Sequence, residues 1–267
     1  MIHMITRENR HLYRAELREM HELRRVHFVE ERGWSRLTVR NGGEYDGSDD
    51  DRAVYFLALD DEGHVAVSMR ARPTDDSCIL ADLFPQLIEP ESGDVRGSDI
   101  WEISRIFATK GNRLRAGIQR RNEVFLASLE AAVTAGVTRL VGMIDTYLLA
   151  QAQRFPWDLR PLGLPSTYAE GEVIGVGIPA NMGELARVRR GLGITGPVIV
   201  PAPICEAVLS PQEMEQLLTA GRLAPGDLAL VKSIIAWASR TPQAAGEQLS
   251  AIIEHKQALR AGAGTLH

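Results

Sequence analysis

A chain of 267 residues is long enough for one large domain with an appendage, at about 150 residues per domain. Its make-up, 45% hydrophobic and 24% charged, is that of an ordinary globular protein and excludes collagen-like, disulfide-scaffold and wholly disordered classes. Thirty Lys and Arg against thirty-five Asp and Glu give a formal charge of -5, which disfavours a general nucleic-acid binder.

The opening residues, MIHMITRENRH, lack the apolar centre of a signal peptide, and no run nears the ~18 apolar residues of a membrane span. Cys78 and Cys205 lie far apart with no paired Cys or His spacing, so neither a metal site nor a disulfide is suggested. A reduced, cytoplasmic protein is expected. From Leu12 to Arg32 apolar residues return at helical intervals (Leu12, Leu17, Met20, Leu23, Phe28), predicting an amphipathic helix stopped by Gly33.

An acidic loop, GGEYDGSDDD at 42–51, leads to the strand VYFLALD. The turn Asp61-Glu62-Gly63 joins it to HVAVSMRARP at 64–73, its antiparallel partner. A loop-rich stretch at 75–99 holds the short apolar piece ILADLF, and IWEISRIFA at 100–108 is the next strand. A long helix over 113–135 and the strand TRLVGMI at 138–144 complete a β-α-β unit, which favours parallel pairing. A helix at 146–154, the strand EVIGVGIP at 172–179, a helix near 182–190 and the strand PVIVP at 197–201 follow. The order fits a mixed sheet with helices on both faces. Beyond Pro203 only helical signals remain, so residues 1–203 and 204–267 are read as an α/β domain and a helical C-terminal extension.

Two stretches imitate the dinucleotide fingerprint, GLGITG at 191–196 and GVGIPA at 175–180. Context rejects both. The first runs into a strand rather than a helix, and the second carries Pro179 where the helix should begin.

Charged residues in apolar surroundings are more informative. Arg24 and Phe28 share a helix face, with Trp34 just beyond. Arg70 and Arg72 end an apolar strand on one side of it and need carboxylate partners, which the acidic loop one strand away can supply. Glu102 and Arg105 interrupt IWEISR, and either a structural ion pair or a pocket with perturbed carboxylates accounts for them. Strict alternation puts them on opposite faces, so a shared pocket requires a bulge or a wrapped edge.

Taken in order, Arg24, Phe28, Trp34, Glu44, Asp46, Asp49, Arg70, Phe84, Trp101-Glu102 and Ser104-Arg105 resemble the LuxI-type acyl-homoserine lactone synthase family. EMHELRRVHFVEERGW at 19–34 and the SMRARPT and ILADLFPQL segments carry its spacing, and the resemblance spans residues 7 to about 203. It implies a three-layer α-β-α sandwich similar to the acetyltransferases (GNAT-like), with a mixed central sheet split to admit a pantetheine arm. It implies two substrates and no bound cofactor: S-adenosylmethionine, and an acyl thioester on acyl carrier protein or coenzyme A. The products are an acyl-homoserine lactone and methylthioadenosine.

The resemblance assigns Arg24, Phe28, Trp34, Asp49, Phe84 and Arg105 to S-adenosylmethionine, and Glu102, Asp46 and Arg70 to catalysis. Glu102 is the first candidate for the base and Asp46 the second, because an α-amine of pKa about 7.7 to 8.0 needs only a weak one. Lys110, Arg113 and Arg115 suit the pantetheine phosphate and an acidic carrier, and Met143 and Ile144 fall in the acyl pocket. Gly142, Met143 and Ile144 stand where members making 3-oxo signals often have a Thr, favouring an unsubstituted, branched or aryl chain. Two other classes compete: a coenzyme A-dependent N-acyltransferase acting on another amine, and a non-catalytic binder using the helical tail.

Overall fold

The structure, a computed structural model, describes residues 2–110 and 115–200, and of 115, 116 and 200 the backbone alone. The expected boundary near residue 203 and the helices beyond it lie outside the described residues.

Strand β1 (Ile2–Ile5), absent from the sequence reading, opens the chain. Helix α1 (Arg14–Arg24) runs directly into a π-helical stretch at Arg25–Glu31, so the single expected helix changes its winding halfway. The acidic loop begins with a small hairpin, β2 (Thr38–Arg40) and β3 (Gly43–Tyr45). Its turn residues Asn41 and Gly42 both have positive φ, 49° and 81°, the geometry that Asn-Gly adopts most readily. The expected hairpin is β4 (Val54–Leu59) with β5 (Val65–Pro73), followed by α2 (Ile79–Leu83) and β6 (Ile100–Ala108).

Next come α3 (Arg115–Thr134), β7 (Arg139–Asp145), α4 (Thr146–Ala152), β8 (Arg160–Pro161), β9 (Ser166–Tyr168) and β10 (Gly171–Pro179). Helix α5 (Met182–Leu192) and β11 (Ile199–Val200) end the described chain. The Asn181 side chain caps α5 by accepting the Glu184 N–H, and Gly193, in the left-handed region at φ 68°, ends it. GLGITG is thus a helix terminus, and most of GVGIPA lies within β10.

The nine-stranded sheet has the order β11-β1-β4-β5-β6-β7-β10-β8, with β9 beside β10. Strands β6 and β7 are parallel, as the β-α-β reading requires, whereas β1, β4, β5 and β6 pair antiparallel in turn, as do β7 and β10. The parallel register covers only Ile100–Ile103 against Arg139–Gly142, although β6 continues to Ala108 and β7 to Asp145. The sheet therefore splits in its middle. Gly142 sits at the fork, where a Cβ would lie 2.7 Å from the Ile103 carbonyl oxygen.

One face packs on α3 and α5 through Phe56, Met69, Trp101, Leu126, Leu129 and Leu140. Burial of each such side chain contributes about 1.5–3 kcal/mol, and Leu129→Ala would cost about 2–5 kcal/mol. The opposite face carries a smaller core of Leu80, Leu87, Ile100, Val141, Leu162 and Val173 beside α2, and α1 packs on β3 and β5. This is the expected three-layer sandwich. Its second face, left partly uncovered by apolar residues, holds the charged ones.

Candidate active site

Three guanidinium groups and three carboxylates, from four separate segments, form one cluster over β5 and β6. Arg24, fully buried, donates from Nε to Glu44 Oε2 at 2.6 Å and from both Nη atoms to Asp49 at 2.7 and 3.0 Å. Arg70, also buried, donates to Asp46 at 2.5 and 3.0 Å, to Asp49 at 2.8 Å and to Ser104 Oγ at 3.2 Å. Arg105 reaches Glu44 at 2.9 Å and Asp46 at 2.7 Å. Tyr55 donates its hydroxyl to Asp49 at 3.0 Å.

A bulge, one of the two arrangements the sequence allowed, explains Arg105. Arg70 faces Ser104 while Ser68 faces Phe107, so β6 carries one extra residue there, and Arg105 takes φ 51°. The kink brings Arg105 to the carboxylates that Arg70 and Arg24 also use. Burial alone would raise the Asp49 carboxyl, but Arg24 and Arg70 hold it far below the usual carboxylate range. Asp46 is likewise lowered against its burial, by Arg70 and Arg105. His21 stacks on Tyr45 with ring centroids 3.8 Å apart and meets the Glu44 carbonyl at 2.8 Å through Nδ1. Burial, then the charge of Arg24, depresses its pKa to about 4, so the ring is neutral near pH 7 and Nδ1–H is the donor.

Glu102 shares the sheet face but turns the other way. Its carboxylate accepts the N–H groups of Ile79 at 2.9 Å and Leu80 at 2.7 Å, at the start of α2, with Cys78 Sγ 3.8 Å away. Desolvation raises its pKa even against those two donors. Arg72, opposite Glu102 in the register, goes instead to Asp50 and Asp76 at 2.6 and 2.7 Å.

An aromatic row closes the neighbourhood. Phe28 and Trp34 stack at 5.0 Å, and Arg105 lies 5.7 Å from the Phe28 ring centre. Tyr168 on β9 presents edges to both Trp34 and Phe84 at 6.4 Å. Met143, half-buried, packs with Phe84 and Tyr168 against the second-face core, and Ile144 pairs with Ile174. Lys110 is exposed and 3.0 Å from Glu31; Arg113 and the Arg115 side chain lie outside the described residues.

The family model for autoinducer synthases matches residues 8–188. The chain belongs to that family. It is 35% identical over 170 residues to the isovaleryl-homoserine lactone synthase of Bradyrhizobium diazoefficiens, covering 62% of this chain and 74% of that protein. Among solved structures, it is similar to the CoA-dependent acyl-homoserine lactone synthase BjaI with SAM and isopentyl-CoA. That likeness has TM-score 0.67 and 28% identity, covering 74% of this chain and 92% of BjaI. MesI, another CoA-dependent acyl-homoserine lactone synthase, gives TM-score 0.64 and 28% identity over 74% of this chain and 98% of MesI.

This autoinducer synthase thus has the acyltransferase class and acetyltransferase-like sandwich that the family resemblance implied. Glu44, part of the acidic run and of the residue order behind the resemblance but given no role there, is the acceptor shared by Arg24 and Arg105. Tyr55, Tyr168, Arg32 and Asp145 also border the site, and no spacing or composition marked them. Among the described residues no helix is long and apolar enough to cross a membrane.

Proposed function

We propose that this synthase acylates the α-amine of S-adenosylmethionine from an acyl thioester and closes the product to an acyl-homoserine lactone, releasing methylthioadenosine. The observation that carries this reading is the convergence of Arg24, Arg70, Arg105, Glu44, Asp46 and Asp49 beside a stacked Phe28–Trp34 pair and a split sheet. The cluster's fixed charges balance. It therefore orients a zwitterionic amino acid rather than attracting a cation by net charge.

Depth within the cluster divides the labour. Arg24, Arg70, Glu44 and Asp49 are at most 1% exposed at the side chain, whereas Asp46 and Arg105 are 21% and 11% exposed. The inner four hold the frame. Arg105 takes the methionyl carboxylate and Asp46 the ammonium, while Phe28, Trp34 and Phe84 supply faces for the adenine and sulfonium.

Asp46 is held anionic and engaged by two Arg, which makes it a weak base. Glu102 has a raised pKa and serves better; because its carboxylate is turned to the Ile79 and Leu80 N–H groups, it accepts the amine proton through water from the same sheet face. The freed amine attacks the thioester carbonyl, the C–S bond breaks so that the thiolate leaves with the electron pair, and the surplus proton on nitrogen passes to that thiolate to give amide and free thiol. The carboxylate oxygen then attacks the γ-carbon, the C–S bond breaks toward sulfur, and the sulfonium becomes a neutral thioether. Proximity drives this ring closure.

A branched acyl group on coenzyme A is the donor that fits best, given the isovaleryl relative and the half-buried Met143 and Tyr168 beside the fork. Lys110, Arg113 and Arg115 would meet its phosphates or those of a carrier protein. Incubation with S-adenosylmethionine and acyl-CoA and acyl-carrier panels, followed by mass spectrometry, should show methylthioadenosine and a lactone together. Absence of both across straight, branched and aryl donors overturns the assignment. Reversing Arg113 and Arg115 should raise the donor KM more than the S-adenosylmethionine KM.

A further inference from the structure

We infer that Asp145 is a positioning residue, clasping Arg32 and Tyr168 so that the Trp34 indole keeps its aim at the nucleoside. This rests on the function proposed above, in which Trp34 faces S-adenosylmethionine.

Asp145 is the last residue of β7, on the far side of the fork from β6, and its side chain is only 8% exposed. Both oxygens are taken by different segments. Oδ2 receives the guanidinium of Arg32, 113 positions away in sequence, and Oδ1 accepts the Tyr168 hydroxyl at 3.1 Å. Both donors then touch the same ring. The Arg32 guanidinium carbon lies 4.7 Å from the Trp34 ring centre, and Tyr168 meets the indole edge-on at 6.4 Å.

Trp34 needs such support. It lies past the last helical turn and past Gly33, and its N–H donation to the Phe28 carbonyl at 2.9 Å fixes its backbone but not its ring. Phe28 stacks on the indole and leaves its tilt to the two donors that Asp145 controls. A desolvated carboxylate is expensive to keep, and this one, although at the N-cap position of α4, makes no capping hydrogen bond and stands outside the six-charge cluster. Its consequence falls on the aromatic row alone.

Asp145→Asn preserves shape but removes the charge that holds Arg32 and leaves a single acceptor oxygen, so Arg32 and the Tyr168 hydroxyl can no longer both donate to it. In steady-state assays with S-adenosylmethionine and the preferred acyl thioester, its KM for S-adenosylmethionine should rise about tenfold, because a small misplacement weakens binding steeply. Its kcat and its KM for the acyl donor should stay within about twofold of the parent. Tyr168→Phe, which removes one hydroxyl, should shift the same KM in the same direction by less and provides the test if Asp145→Asn does not fold.

The decisive readout is a cycle with Trp34→Phe. If Asp145 acts through the indole, Asp145→Asn adds no further KM change in the Trp34→Phe background. A full, additive change there overturns the clasp, as does an unaltered KM in both Asp145→Asn and Tyr168→Phe. A parent enzyme that forms no product overturns the proposed function and the clasp together. A working parent with additive variants overturns the clasp alone.

Discussion

Asp49→Asn tests the charge cluster most directly, because it removes one charge and almost no volume. Asp49 is 1% exposed and accepts five hydrogen bonds: two from Arg24 at 2.7 and 3.0 Å, and one each from Arg70 at 2.8 Å, Tyr55 at 3.0 Å and the Asp46 N–H at 2.8 Å. The substitution leaves three buried or nearly buried guanidinium groups facing two carboxylates. A unit charge at about 4 Å is worth about 4 kcal/mol at an effective dielectric near 20, and breaking a buried pair typically costs about 3–5 kcal/mol. For a folded unit of about 200 residues, each kcal/mol moves the melting temperature about 2–4 °C, so Tm should fall roughly 6–20 °C. Thermal denaturation at pH 7, followed by circular dichroism, measures it. Asp46→Asn is the internal reference: water reaches Asp46, so its loss should be smaller. A Tm within about 3 °C of the parent for Asp49→Asn, or a larger loss for Asp46→Asn, would refute the view that the inner four residues form the frame.

Acid should destabilise the fold through His21 before the depressed cluster carboxylates Asp46 and Asp49 titrate. The folded pKa of about 4 lies below the ordinary 6.5, so the unfolded chain binds the proton first and stability declines as pH falls from 6.5 toward 4. The loss approaches about 3 kcal/mol at about 1.4 kcal/mol per pH unit; urea midpoints across that range should show it, and His21→Gln should flatten the slope. Gly142→Ala should lower stability by about 1–3 kcal/mol and reduce turnover, since its Cβ has no room beside the Ile103 carbonyl. Unchanged melting and kinetics would mean the fork yields freely. Glu102→Gln should cut kcat by about 10²-fold or more, with Asp46→Asn acting mainly on KM for S-adenosylmethionine; the reverse pattern would make Asp46 the base.

Where hydrophobic pattern and turn chemistry agree, the elements were legible. IWEISRIFA forms a strand over the very residues expected, 100–108, and the β4–β5 hairpin closes around Asp60–Gly63. Strand β1 escaped because four residues carry little periodicity and its partner β4 lies some fifty positions on. The β2–β3 hairpin carries its turn signal in Asn41-Gly42, but its strands of three residues each are too short to show the alternation that marks a strand. Residue types at the site were readable too, since buried Arg on a strand demands acids. Their mutual compensation was not, because it depends on which carboxylate each guanidinium reaches across three segments. The contact of Asp145 with Arg32 spans 113 positions and has no local signature at all.

The π-helical stretch at Arg25–Glu31 has a practical consequence for anyone shortening or stabilising this enzyme. Its wider winding accommodates a surplus residue, and such insertions are rare and less favourable than regular helix. Deleting one residue there, Val29 for example, would let the backbone relax into continuous α-helix and shorten the Phe28–Trp34 spacing from six residues to five, breaking the 2.9 Å bond from the Trp34 N–H to the Phe28 carbonyl. The trimmed segment would be a better helix carrying a misdirected Trp34, so variants screened for heat tolerance alone would select against the chemistry.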